Sequence, residues 1–247
     1  MSLRTIQDCL QSREHHQSLA IVICNAPLSG LEGLVKKIWT QCELVVCADG
    51  GSNRLYDSMK EDRNKYVPHV ICGDLDSIRK EVVQFYKEKG SDVVQVDDQD
   101  TTDLTKCFNH ITHLNNTGIV KVDNIVVMNA ASWGRFDQII GNINSLFLIA
   151  APPILLSDDS LVTLLPPGQH HIPVNTGLEE GHCGLIPIAG AVQSVTTSGL
   201  KWNLNKDAMS FGTLISTSNL ILPGAKEVTV ETTGTLLWTM SHKLSNL

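Results

Sequence analysis

Five short apolar runs alternate with segments of helical period along the first half of the chain. Leu19 to Cys24, Leu44 to Ala48, His69 to Cys72, Val93 to Val96 and Ile125 to Met128 predict buried strands. Each run is nearly continuous rather than alternating, which suits a parallel sheet covered on both faces. Between the runs lie amphipathic stretches. Leu31, Leu34, Val35 and Ile38 share one helical face, as do Ile78, Val82, Phe85 and Tyr86. Leu104, Cys107, Phe108, Ile111 and Leu114 form a third face at spacings of three and four. Gly90 falls where the second helix should be capped at its C-terminus. Strand–helix alternation of this kind predicts an α/β fold with an open, doubly wound, mostly parallel sheet.

The pattern changes near residue 151. Residues 1–150 carry 19 acidic and 15 basic side chains, whereas residues 151–247 carry 7 and 4. Seven of the nine prolines and half of the 18 glycines fall in the later, shorter segment. Short strands are predicted at Leu161 to Leu165, Gly184 to Ile188, Gln193 to Thr197, Thr213 to Thr217, Val228 to Glu231 and Leu236 to Met240. The expected organisation is an α/β domain over 1–152, followed by an all-β sandwich, jelly-roll-like, over 153–247.

Composition narrows the classes of partner. The net charge is −7 and no cluster of Lys and Arg interrupts the acidic background, which argues against nucleic acid and against an anionic membrane surface. No apolar run approaches the ~18 residues of a membrane span, and residues 1–17 lack the apolar stretch of a signal peptide. The seven cysteines are an odd number without a CxxC pair, as expected of buried free thiols in a reducing compartment, hence a cytoplasmic protein.

Ligands of open α/β sheets bind beyond the C-terminal ends of the strands. Asn25 follows the first predicted strand, and Asp49-Gly50-Gly51-Ser52-Asn53-Arg54 follows the second. Gly73-Asp74-Leu75-Asp76-Ser77 follows the third, and Asp97-Asp98-Gln99-Asp100-Thr101-Thr102-Asp103 the fourth. The fifth leads to Asn129 and then Gly134-Arg135-Phe136-Asp137-Gln138. A single Asp in such a loop serves equally well as a helix cap, and Asp100 with Asp103 resembles a capping box. Capping does not require so many carboxylates at one rim, where their repulsion calls for a cation. Oxygen ligands without Cys or His select Mg²⁺, with Mn²⁺ or Ca²⁺ as alternatives. Magnesium so held usually carries substrate phosphates. Gly50 and Gly51 would let the backbone approach them, and Arg54 and Arg135 would offset their charge. Neither GxGxxG nor GxxxxGK[ST] occurs. Two other readings stay open at this level. Asp74-Leu75-Asp76 resembles the DxD motif of haloacid-dehalogenase-type phosphatases, with Asp74 as nucleophile. The chain could also be a nucleotide- or other ligand-binding sensor without turnover.

The blocks from Ala48 to Arg54, Gly73 to Ser77, Asp98 to Asp103 and Gly134 to Gln138, taken together, resemble the eukaryotic thiamin pyrophosphokinase family. The resemblance continues through Gly184-Leu185-Ile186-Pro187, the segment from Thr197 to Leu204, Phe211-Gly212-Thr213-Leu214, Ser216-Thr217-Ser218-Asn219 and Leu237-Trp238-Thr239-Met240. It implies an N-terminal α/β domain, a C-terminal β-sandwich, and a homodimer with active sites between subunits. The implied reaction transfers the pyrophosphoryl group of ATP, the co-substrate, to the hydroxyethyl oxygen of thiamin, giving thiamin diphosphate and AMP. Carried over by position, Asp74, Asp76 and Asp103 become the expected Mg²⁺ ligands. Gln99 and Asp100 join them as catalytic candidates. Asp49, Gly50, Gly51, Asn53, Arg54, Arg135 and Asp137 fall on the nucleotide side.

Thiamin is a cation with flat aromatic rings, so its pocket should offer an aromatic face. Trp202 is the first candidate, with Ser216, Ser218 and Asn219 as polar contacts; the competing reading makes Trp202 a core residue. Trp238, within an apolar run, reads as core. One departure from the family is the segment Asn129-Ala130-Ala131-Ser132-Trp133, which is usually glycine-rich.

Overall fold

The computed structural model describes residues 18–130 and 135–244. Its first five strands are β1 (Leu19–Ile23), β2 (Leu44–Ala48), β3 (Val70–Gly73), β4 (Asp92–Gln95) and β5 (Asn124–Met128). Every residue of β1, β2, β3 and β5 is buried, as continuous apolar runs require of strands covered on both sides. The strands lie parallel in the order β5-β1-β2-β3-β4. Helices α1 (Glu32–Ile38), α2 (Gly51–Met59), α3 (Lys80–Glu88), α4 (Asp103–Asn116) and α5 (Phe136–Ser145) accompany them. Alternate strand residues face opposite cores. Ile21, Ile23, Val45, Cys47 and Ile71 pack with Leu34, Leu55 and Val82 of α1 to α3. On the other face Ala20, Val22, Val46 and Cys72 pack with Leu104, Cys107, Phe108 and Ile111 of α4.

The chain builds outward from β1 to β4 and then crosses back through α4 to lay β5 on the other side of β1. The strand order therefore reverses between β1 and β5, and a ligand crevice opens at such a switch point. Thr102 caps α4, its hydroxyl accepting the Thr105 N–H at 3.2 Å. That cap fixes where Asp103 enters the rim.

The remaining strands are β6 (Ile154–Leu156), β7 (Ser160–Leu165), β8 (Gly168–Pro173), β9 (Glu179–Ile186), β10 (Val192–Ser198), β11 (Asn205–Met209), β12 (Ser216–Leu220), β13 (Glu227–Thr232) and β14 (Leu236–His242). They form two layers, but one layer is continuous with the parallel sheet. Strand β6 pairs parallel to β5, β7 pairs antiparallel to β6, and β14, β9 and β12 follow. The result is a ten-stranded sheet, faced by a second sheet of order β11-β10-β13-β8. Trp238, 1% exposed, lies in the core between them.

The strand expected at Thr213 to Thr217 begins three residues later than read. Ser210 N–H donates to the Leu214 carbonyl and Thr213 N–H to that of Ser210, and Gly212 sits at φ 84°, so residues 210–214 form a tight turn. No helix among the described residues is long and apolar enough to cross a membrane.

Candidate active site

The loops after β2 and β3 are tied together by Asp49. Its carboxylate accepts the Ser77 N–H at 2.9 Å and the Ile78 N–H at 3.1 Å. Asp49 is 1% exposed, and burial raises its pKa against the lowering effect of those amides. Gly50 and Gly51 are required by close packing on this side of the sheet. A Cβ on Gly51 would lie 2.1 Å from the Ile23 carbonyl oxygen, and one on Gly50 would lie 2.3 Å from the Asn25 amide nitrogen. Asn53 completes the brace, donating to the Ser77 carbonyl at 2.9 Å and accepting the Arg79 N–H at 3.0 Å.

Gly73 brings three acidic loops to one point. A Cβ there would stand 2.7 Å from the Asp49 Cβ and 3.0 Å from Asp103 Oδ1. Asp49, Asp74 and Asp76 each present one carboxylate oxygen within 4.8 Å of the others. Asp103 lies outside that trio and meets Asp74 across a lysine. Lys106 donates to Asp74 Oδ2 at 3.3 Å and to Asp103 Oδ1 at 3.2 Å, and its side chain is only 2% exposed. Burial raises the Asp74 pKa, but the Asp76 N–H and Lys106 outweigh it and hold the carboxyl below its usual range. Burial lowers that of Lys106, but the hydrogen bonds to Asp103 and Asp74 hold it above an ordinary lysine.

The other carboxylates of the 97–103 loop serve the loop itself. Asp98 accepts the Asp100 N–H at 2.8 Å and the Thr101 hydroxyl, an Asx turn that holds its pKa low. Asp97 accepts from the Gln95 side chain at 2.8 Å. Gln99 reaches Asp74 Oδ2 at 3.4 Å, and Asp100 is exposed.

Beside this acidic rim lies a cavity of about 670 Å³ at the β1/β5 switch point. Asn25, Arg54, Asp74, Asp103, Asn129 and Arg135 are among its lining residues. Arg54 donates to Asn25 Oδ1 at 2.9 Å. Arg135 is paired with Asp137, its Nε 3.0 Å from Oδ1. Asn129, in the left-handed region at φ 54°, donates to the Pro27 carbonyl. Trp133 and Gly134 lie outside the described residues. Cys24 also lines the cavity, and burial pushes its thiol up to about 12, so it stands there as a neutral group.

The residues expected to meet thiamin lie together elsewhere and do not line this cavity. Trp202 is 55% exposed, with Lys201 Nζ 4.5 Å from the ring centroid. Asn219, 3% exposed, accepts the Trp202 N–H at 3.2 Å and donates to the Trp202 carbonyl at 2.9 Å. The same amide donates to Ser216 at 3.3 Å, and Ser218 follows at φ 57°. Asn219 thus holds the indole out from the sheet by its own backbone. Sequence reasoning misses Lys106, because it stands roughly 160° around α4 from Leu104 and Phe108, away from the apolar face.

Fold and rim together define the class: a doubly wound α/β protein with an acidic cleft at the switch point, joined to an antiparallel β unit. Residues 35–155 match the model of the thiamin pyrophosphokinase catalytic domain, and residues 169–237 match its vitamin B1 binding domain. Thiamine pyrophosphokinase 2 of Arabidopsis thaliana is 44% identical over 92% of this chain and 88% of its own length. Thiamine pyrophosphokinase 2 of Oryza sativa is 42% identical over 90% and 85%. The crystal structure of the yeast thiamin pyrophosphokinase superposes with a TM-score of 0.86 at 25% identity, covering all of this chain and 92% of that one. The chain belongs to the thiamin pyrophosphokinase family.

Proposed function

We propose that this protein transfers the pyrophosphoryl group of ATP to the hydroxyethyl oxygen of thiamin, giving thiamin diphosphate and AMP. The observation that carries the reading is that Asp74 stands with Asp76 on one side and, through Lys106, with Asp103 on the other, beside a cavity lined by Arg54 and Arg135, in a chain of this family. The donor set fits a hard divalent cation: carboxylate oxygens only, with the nearby Cys24 thiol kept protonated. Asp74, Asp76 and Asp103 would hold Mg²⁺, while Asp49 spends both oxygens on main-chain amides and braces the loop. Bound there, the ion would offset charge on the phosphates.

The remaining work falls to the protein's own groups. Attack at the β-phosphorus needs the alcohol in line with the departing AMP, so positioning and charge stabilisation carry the rate. Arg54 and Arg135 flank the cavity as cations for the polyphosphate, Arg54 oriented by Asn25 and Arg135 by Asp137. Asp100, exposed and outside the lysine pair, is the carboxylate available to take the alcohol proton. Trp202 supplies the aromatic face for the thiamin cation, with Ser216, Ser218 and Asn219 around it.

The cavity and the Trp202 surface do not share lining residues within one chain. This separation supports a homodimer in which one subunit's cavity meets its partner's Trp202. Free buried cysteines support the cytoplasm as its location. Incubation with ATP, thiamin and Mg²⁺, followed by chromatography, should give AMP and thiamin diphosphate in equal amounts. ADP or inorganic phosphate as the main product would reject the reading.

A further inference from the structure

Lys106 is the only described cation within hydrogen-bonding distance of the rim's metal candidates, and it is buried there. A lysine ammonium withdrawn from water is costly unless it is paired. Here it is paired twice, to one oxygen of Asp74 in the loop after β3 and one of Asp103 at the start of its own helix α4. Asp49 and Asp76 stand beside Asp74, which makes four carboxylates at the rim, and among the described residues no other Lys or Arg is ion-paired with any of the four. A rim of this charge without Lys106 would call for a second divalent ion. With Lys106 in place, one ion leaves the rim close to neutral.

We propose that Lys106 is a resident cation that takes the place of a second metal. It positions Asp74 and Asp103 before any ion arrives. By occupying one oxygen of each, it also weakens the site for a free divalent ion, so that the ion enters with the nucleotide polyphosphate. Lys106 is absent from the cavity lining, so it acts through the two aspartates as a positioning residue. The proposal rests on the metal-holding role assigned above to Asp74, Asp76 and Asp103.

The test uses Mn²⁺ as the probe, followed by the electron paramagnetic resonance of the free ion, on the nucleotide-free full chain. Removing a positive charge beside a divalent ion strengthens binding by simple Coulomb attraction. Lys106→Met should therefore bind Mn²⁺ at least about tenfold more tightly than wild type. Its kcat should fall while the KM for thiamin stays near the wild-type value. Lys106→Arg should keep the wild-type Mn²⁺ affinity, since it restores the charge. Unchanged or weaker Mn²⁺ binding by folded Lys106→Met would overturn the proposal.

A second measurement needs no variant. Wild type should bind Mn²⁺ at least about tenfold more tightly with a non-hydrolysable ATP analogue than without it, and equal affinities would also overturn the proposal. Failure of the underlying reading looks different. In that case wild type would bind no Mn²⁺ at all, with or without nucleotide.

Discussion

The carboxylate of Asp49 accepts the main-chain N–H of Ser77 at 2.9 Å, so the loop after β2 sets the position of the loop after β3. Asp49→Ala removes this acceptor and the one for Ile78, leaving two amides without a partner. Hydrogen bonds to a charged group are worth roughly 1.5–3 kcal/mol each, and relief of the buried charge returns part of that. A net loss of about 2 kcal/mol is expected, seen in calorimetry as a fall in Tm of about 4–8 °C. Activity should fall further than stability, because Asp74 and Asp76 ride on the released loop.

The rim aspartates separate by their relation to Lys106. Asp76 is exposed and makes no ion pair among the described residues, so Asp76→Asn should abolish activity while the metal-free Tm holds or rises, as repulsion is relieved. Asp103→Asn leaves the buried ammonium with a single carboxylate, so its Tm should fall by an amount equivalent to about 1–3 kcal/mol. Identical thermal shifts in the two variants would contradict this division.

Much of the fold was legible because it depends on local pattern. The runs at β1, β2, β3 and β5 read correctly because strands covered on both faces leave no polar position to confuse the period. The junction at β6 was not legible. Three residues, Ile154–Leu156, extend the parallel sheet into the antiparallel one, and their partners are Val126 to Met128, some thirty residues away. The acidic loops could be assigned to one rim, since strand ends converge in such a sheet. Their internal sorting depended on distances. Nothing in the order of residues distinguishes Asp98, which caps its own turn, from Asp103, which meets Lys106. The lysine itself reads as a solvated helix position until α4 is packed on the sheet.

Trp202 is 55% exposed and anchored through its backbone by Asn219, so Trp202→Ala removes little packing. Its Tm should change by less than about 2 °C. A cation–π face is worth about 0.5–2 kcal/mol, which predicts a rise in the thiamin KM of about 2- to 30-fold with the ATP KM unchanged. Equal rises in both constants would point to a general loss of structure.

His242 predicts an acid sensitivity unrelated to the active site. Its ring is 1% exposed, Nδ1 accepts the Leu244 N–H at 3.2 Å, and Nε2 has no hydrogen-bond partner among the described residues. The neutral ring therefore carries its proton on Nε2, and burial holds the folded pKa below the usual histidine value. Between that folded pKa and about 6.5 the unfolded chain binds more protons. The stability from the neutral ring is thus present above about pH 6.5 and is lost as the pH falls through the folded pKa. His242→Asn keeps an acceptor for Leu244 but does not titrate. The drop in Tm between about pH 7.5 and about pH 5.5 should be smaller in the variant. A residual drop is expected from His110, whose pKa burial also lowers. An undiminished drop would place the sensitivity elsewhere.

The central claim is that aspartates from separate loops hold one divalent ion beside the nucleotide. Crystals grown with Mn²⁺, thiamin and a non-hydrolysable ATP analogue, measured at the manganese edge, test it directly. A single anomalous peak about 2.0–2.4 Å from oxygens of Asp74, Asp76 and Asp103 and from the analogue's phosphates is predicted. A nucleotide bound with no peak at the rim, or with manganese held by other side chains, would contradict it.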